Sequence, residues 1–231
     1  MNARTLVRQT MFLSASHFIV RVIGFFNRIW LSRALGAQAM GLVELTHSAQ
    51  MLLITPVVSG LPAAVSRMCA KSQPARQVRV LRCGISLALL TGVPVAVLAF
   101  AFRTQLALWL GDLRTLPALL IYLPCIPVLG VSCALNGYYY GKGKPVPPAL
   151  SELLEQLVRL FLCIRLVFAL RGWPTMLRAA IPAAASLLGE TASLLLMLLI
   201  AARAILFAPG EGSRRAVYRE MLSLALPLTG M

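Results

Sequence analysis

The sequence predicts an all-α protein, a polytopic membrane helix bundle of six transmembrane helices plus the start of a seventh. Three observations carry that prediction. The 231 residues are 59% hydrophobic and only 13% charged, with a mean hydropathy of +0.81, too apolar for the polar surface that a soluble domain of this length needs. The apolar residues gather in runs of roughly 20, the length at which a helix crosses a hydrocarbon core. The net charge of +15 sits in short clusters between those runs. It is not spread over a soluble basic face, so nucleic acid is not an expected partner.

The runs fall at 10–33, 42–66, 83–102, 116–138, 148–169 and 180–204, with an apolar beginning at 221–231. This divides the chain into a six-helix lobe, 1–215, and the truncated start of a seventh helix, 216–231. The first apolar run is not followed by a small-residue cleavage pattern, so helix one is expected to stay as an anchor. The last segment, REMLSLALPLTGM at 219–231, is too short to span. It loosely echoes RQTMFLS at 8–14, as in transporters built from two repeated halves, and the chain is expected to be the first half of something longer.

Orientation follows from the loops. Arg4 and Arg8, the run Arg67, Lys71, Arg76, Arg79 and Arg82, then Lys142 and Lys144, and finally Arg203, Arg214, Arg215 and Arg219 fall on one side. Arg33, Arg103, Arg114, Arg171 and Arg178 fall on the other. The positive-inside rule places the N-terminus in the cytoplasm of a plasma-membrane protein. The basic loop at 67–82 reads first as a topology determinant and second as a contact for membrane lipid headgroups.

Arg21, Arg28, Arg159 and Arg165 remain inside the spans, where a charge at mid-bilayer costs about 2.5–3.5 kcal/mol even on lenient scales. In helix one, Thr10, Ser14, His17, Arg21, Gly24 and Arg28 share a face at spacings of three and four residues. Arg21 lies ~16 Å beyond Thr10 at the helical rise. In helix five, Glu152, Glu155, Gln156, Arg159 and Cys163 share a face. In helix six Glu190 stands between Ser186 and Ser193, and helix two carries Glu44 and His47 near its outer end. Charged stripes of this kind face a bundle interior or a wet cavity.

Each residue also has a plainer reading. Glu155 and Arg159, at i and i+4, can neutralise one another for packing alone. Glu190, Glu44 and His17 read either as ion- or proton-coupling groups or as salt-bridge partners. A purely structural role for Arg21 and Arg28 needs acidic partners, and helix one has none. The five cysteines lack metal or CxxC spacing and read as small hydrophobes, with no metal and no cofactor expected. Prolines at 56, 62, 94, 117, 124 and 127 interrupt spans, which suits a protein that bends. GYYYGKGK at 137–144 lacks the phosphate-loop order and reads as a tight cytoplasmic turn.

FIVRVIG at 18–24, GAQAMG at 36–41, SGLPAAVS at 59–66, GYYYGKGKPVP at 137–147 and EQLVR at 155–159 occur in order along the chain. Together they resemble the polysaccharide-transporter, or oligosaccharide-flippase, branch of the multidrug/oligosaccharidyl-lipid/polysaccharide exporter superfamily. The resemblance implies one lobe of a fold of twelve to fourteen helices around a central cavity. It further implies translocation of an anionic lipid-linked oligosaccharide or peptidoglycan precursor by alternating access, in cell-envelope or spore-cortex biosynthesis. Arg21 and Arg28, and more weakly Arg159, then correspond to arginines that hold a lipid pyrophosphate. The resemblance covers only an N-terminal half, so a second lobe or a homo-oligomer is an implied partner. Two alternatives stand beside it, a cation-coupled multidrug exporter and a non-transporting membrane scaffold in envelope assembly. No nucleophile–base pair, metal cluster or cofactor loop points to an enzyme.

Overall fold

The computed structural model describes residues 3–206 and 213–229, with side chains described except at 3–10, 203, 204, 206 and 226–229. The side chains of Arg4, Arg8, Thr10 and Arg203 therefore lie outside the described residues. Among those described, the chain is helical and contains no strand. In order come α1 (Ala3–Leu35), α2 (Ala37–Val58), α3 (Leu61–Lys71), α4 (Pro74–Ala101) and α5 (Arg103–Trp109). A 3-10 turn (Leu113–Thr115) leads into α6 (Leu116–Tyr122), α7 (Cys125–Gly141) and α8 (Val146–Ala169). The last three are α9 (Thr175–Ala179), α10 (Ile181–Leu206) and α11 (Arg214–Thr229).

Two expected spans are broken helices, and the sequence explains each break. The run at 42–66 divides into α2 and α3 at Ser59–Gly60, where Gly60 has φ +80°, a backbone state that other residues enter at a penalty. Pro56 within α2 and Pro62 at the first turn of α3 flank the break. The run at 116–138 divides at Leu123–Pro124 into α6 and α7, because proline has no amide to continue the ladder.

Among the described residues, four segments are long and apolar enough to cross a membrane: Ala37–Lys71, Pro74–Ala101, Leu113–Gly141 and Thr175–Ala202. Four of the six expected spans meet that measure of length and composition. Helices α1 and α8 have the length, but their charged residues dilute the apolar content. Large apolar side chains cover the outside of the bundle, among them Phe18, Phe25, Leu52, Leu90, Phe161 and Leu199. An apolar exterior of this extent fits contact with lipid, and the chain is a multi-pass membrane protein.

Helix α10 packs along α8, α7 lies along both α3 and α4, and α1 lies along α8. Leu61, Val65, Leu81, Leu135, Tyr138 and Met197 form the largest core, which also takes in Val217 and Met221 of α11. The seventh segment thus folds onto α3 and α4. A second core joins Leu31 and Leu35 of α1 to Leu42 of α2, Val167 of α8 and Ile181 of α10.

The reading of GYYYGKGK as a turn is corrected. Helix α7 continues through Gly141, and the turn proper follows it, with Gly143 at φ +65°. Gly137 and Gly141 form a small-xxx-small face against α3. A β-carbon at Gly137 would lie 2.6 Å from the Pro62 carbonyl oxygen, and one at Gly141 2.6 Å from that of Ser66. Small residues at this spacing let helix backbones approach in a membrane, and the contact outweighs the turn propensity of glycine and lysine. Gly137→Ala is therefore expected to destabilise the fold by about 1–3 kcal/mol through overpacking. Gly41→Ala, where a β-carbon meets nothing within 4 Å, is expected to leave stability unchanged or slightly raised. Thermal unfolding of the two variants in detergent checks this pair.

Candidate functional site

Helices α1, α8 and α10 bring most of the expected polar residues into one region. Helix α8 enters after a proline-rich segment, with Pro147 and Pro148 in its first turn, where the missing amides are not needed. Its inward face then carries Glu152, Glu155, Gln156 and Arg159 in successive turns. The Arg159 guanidinium donates to the Glu155 carboxylate one turn earlier. Its Nη2 also stands 4.0 Å from Oε1 of Glu190 on α10. Arg159 and Glu155 are largely buried, and Glu190 is 8% exposed. The paired reading of Glu155 and Arg159 is thus the geometry found, extended by a carboxylate from a second helix. Nε of Arg159 is buried with no hydrogen-bond partner among the described residues.

Gly189, next to Glu190, makes this approach feasible. A β-carbon there would lie 2.9 Å from the Glu155 carbonyl oxygen, so α8 and α10 meet backbone to backbone at the ion cluster. Helix α1 joins from the other side of α8. His17 Nδ1 lies 3.1 Å from Oε2 of Glu152, and Gly24 faces the Gln156 amide oxygen. His17 and Gly24 of the helix-one stripe accordingly turn toward α8.

The stripe's arginines behave differently from each other. Arg28 donates to Glu44 of α2 at 2.7 Å, with both side chains substantially exposed. Its acidic partner comes from the following helix, which also gives Glu44 a place. Arg21, near the middle of the 33-residue α1, is exposed and has neither an ion pair nor a side-chain hydrogen bond among the described residues. Structurally, then, Arg159 sits inside the bundle while Arg21 and Arg28 stand on its surface.

Asn27, Ser132 and Asn136 lie off the stripes read from the sequence, and each buries a polar atom. Asn27 points its Nδ2 at Cys163 Sγ, 3.9 Å away, and its Oδ1 is buried with no partner. Ser132 and Asn136 on α7 also bury oxygens that have no partner among the described residues. A lone asparagine amid Phe, Ile and Trp was the available signal for Asn27. No group of three metal-ligating side chains occurs among the described residues.

The fold and this internal polar cluster define a class, the polytopic helical-bundle membrane proteins. The chain superposes on a crystal structure of MATE in the straight conformation with a TM-score of 0.82 at 20% identity, covering 97% of this chain and 52% of that one. More particularly, residues 6–231 match the family described as polysaccharide biosynthesis protein, and the chain belongs to that family. It is 28% identical to stage V sporulation protein B of Bacillus subtilis (strain 168) over 100% of this chain and 46% of that protein. It is 23% identical to lipid II flippase MurJ of the same organism, over 71% of this chain and 32% of that protein. The chain therefore spans about half the length, or less, of the curated relatives it matches.

Removing Arg159 alone leaves two buried carboxylates facing each other. Arg159→Met is expected to cost about 3–5 kcal/mol, the usual range for breaking a buried pair from one side. The triple variant Arg159→Met, Glu155→Gln, Glu190→Gln is expected to recover most of that loss. Thermal unfolding in detergent distinguishes this from independent contributions, which would make the triple variant the least stable.

Proposed function

We propose that this chain is the N-terminal lobe of a flippase or exporter. It would move an anionic lipid-linked oligosaccharide or peptidoglycan precursor across the cytoplasmic membrane by alternating access. The observation that carries this reading is Arg21, a cation near the middle of a long helix with no acidic partner among the described residues. In hydrocarbon such a group needs a compensating anion or water. A lipid-linked diphosphate supplies the anion, and a guanidinium recognises phosphate oxygens through paired hydrogen bonds. Family membership and the likeness to a lipid II flippase support the same substrate class.

In this reading α1 and α8 cross the membrane with the four more apolar segments, which makes six spans, and the N-terminus lies in the cytoplasm. The edge of α1 carrying Arg21 and Arg28 faces a cavity shared with a second lobe. Glu155 and Glu190 outnumber Arg159, so the buried trio carries one formal negative charge when both are ionised. A proton or monovalent cation taken up there neutralises it, which gives Glu155 and Glu190 the coupling role. The fold likeness to MATE keeps multidrug export as a second reading. Helix α1 has no Asp or Glu to attract an organic cation, which favours the anionic substrate.

Arg21→Gln, placed in the longer parent protein, is expected to lower translocation of a lipid-linked precursor in proteoliposomes at least tenfold, with membrane insertion unchanged. The exchange Arg28→Glu with Glu44→Arg keeps their pair but moves the cation off α1. It is expected to lower translocation less than Arg21→Gln does. Wild-type translocation by well-inserted Arg21→Gln protein overturns the proposal.

A further inference from the structure

Of the four arginines inside the expected spans, Arg165 has no part in the α1–α8–α10 cluster or in the proposed function. It stands on the side of α8 turned away from Glu155 and Arg159, four residues and ~6 Å before the helix ends at Ala169. Its side chain is exposed, with no ion pair, hydrogen bond or ring contact among the described residues. The chain's own acidic residues are committed elsewhere. Glu44 pairs with Arg28, Asp112 with Arg114 and Glu220 with Arg76. Glu152 faces His17, while Glu155 and Glu190 face Arg159. Glu211 lies outside the described residues. A cation in this position takes its counter-ion from outside the chain.

Arg165, Leu166, Phe168 and Ala169 line an open groove of about 560 Å³. The Arg171 guanidinium lies over the Phe168 ring, 4.3 Å from its centre, which brings a second cation to the groove. Trp30 of α1 stands beside the same ring, with centroids 6.4 Å apart. Aromatic rings and arginines at a helix end mark the headgroup level of a bilayer. Toward the middle of α8 the same face continues as Phe161, Leu157 and Leu150, all exposed and at helical spacing. The face is therefore apolar for ~16 Å and cationic within the last turn or so. A phospholipid has the same order, an acyl chain and then a phosphate. Guanidinium groups bind phosphate oxygens by paired hydrogen bonds. Two cations with no carboxylate beside them favour a headgroup of net negative charge over one whose phosphate is offset by an ammonium.

We propose that this face of α8 binds an anionic phospholipid of the leaflet at its Ala169 end, the phosphate held by Arg165 and Arg171 and an acyl chain along Phe161 and Leu157. The assignment is independent of the transported substrate. Trp30 supplies a local reporter, because the chain has three tryptophans and the other two, Trp109 and Trp173, can be replaced by Phe. Quenching of Trp30 fluorescence is measured in vesicles that carry chain-brominated phosphatidylglycerol or chain-brominated phosphatidylcholine. Phosphatidylglycerol is expected to associate about fivefold more strongly, the order set by one cation at an anionic surface. Arg165→Gln with Arg171→Gln, both at exposed positions, is expected to abolish the preference. Arg103→Gln, which removes an exposed cation after α4, is expected to keep it. Equal quenching by the two lipids overturns the proposal, as does a preference that survives in the Arg165→Gln, Arg171→Gln protein. An equal loss in Arg103→Gln overturns it in favour of diffuse surface charge.

Discussion

A charge buried in hydrocarbon must be neutralised by something within reach, and the arrangement of this bundle follows from how its charges meet that demand. Arg159 is the node. It is held by Glu155 from its own helix and approached by Glu190 from α10, and α8 and α10 form the most extensive helix pair of the bundle. Gly189 permits the approach, since any side chain there would collide with the backbone at Glu155. Once α8 is fixed by that node, the rest of its polar face is available to α1. His17 and Gly24 take it, and this sets the rotation of α1. With that side of the stripe turned inward, Arg21 and Arg28 are left at the edge, as exposed residues.

Close backbone approach does the equivalent work on the other side of the bundle. Gly130, Gly137 and Gly141 lie on one face of α7, where β-carbons would press on Val57, Pro62 and Ser66. This brings α7 against α2 and α3 on either side of the Gly60 break. Helix α11 closes over the same break, its Ala225 carbonyl 2.7 Å from where a Gly60 β-carbon would stand. The kink, the glycine face and α11 thus form one packing unit.

Much of this was legible in the sequence, and what was missed has physical causes. Apolar run length located nearly every long helix, because burying backbone amides in lipid leaves few alternatives to helix. Spacing of three and four residues put His17, Arg21 and Arg28 on one face, and Glu155 and Arg159 on another. The partners across helices were not legible. Glu44 for Arg28 and Glu190 for Arg159 depend on how helices are rotated, which a single periodic stripe does not encode. Helix α7 running through Gly137 and Gly141 was missed because glycine, read locally, signals a turn, whereas its use here is set by α3. Asn27 escaped because it sits a quarter-turn from the stripe and binds a cysteine.

The charges within the bundle therefore differ in chemical freedom. Arg159 already has a carboxylate in contact, and a phosphate that reached it would have to displace that carboxylate inside a medium of low dielectric. The exchange yields little, because one buried anion replaces another and leaves Glu155 unpaired. Arg28 is an intermediate case, since its pair with Glu44 is exposed and such pairs hold by about 1 kcal/mol or less. A diphosphate, with more charge and more acceptor oxygens than a carboxylate, can compete there. Arg21 has no ion pair or side-chain hydrogen bond among the described residues to give up. Under the proposed function this ordering would have Arg21 engage the anionic substrate first, Arg28 join it by releasing Glu44, and Arg159 keep the helices together.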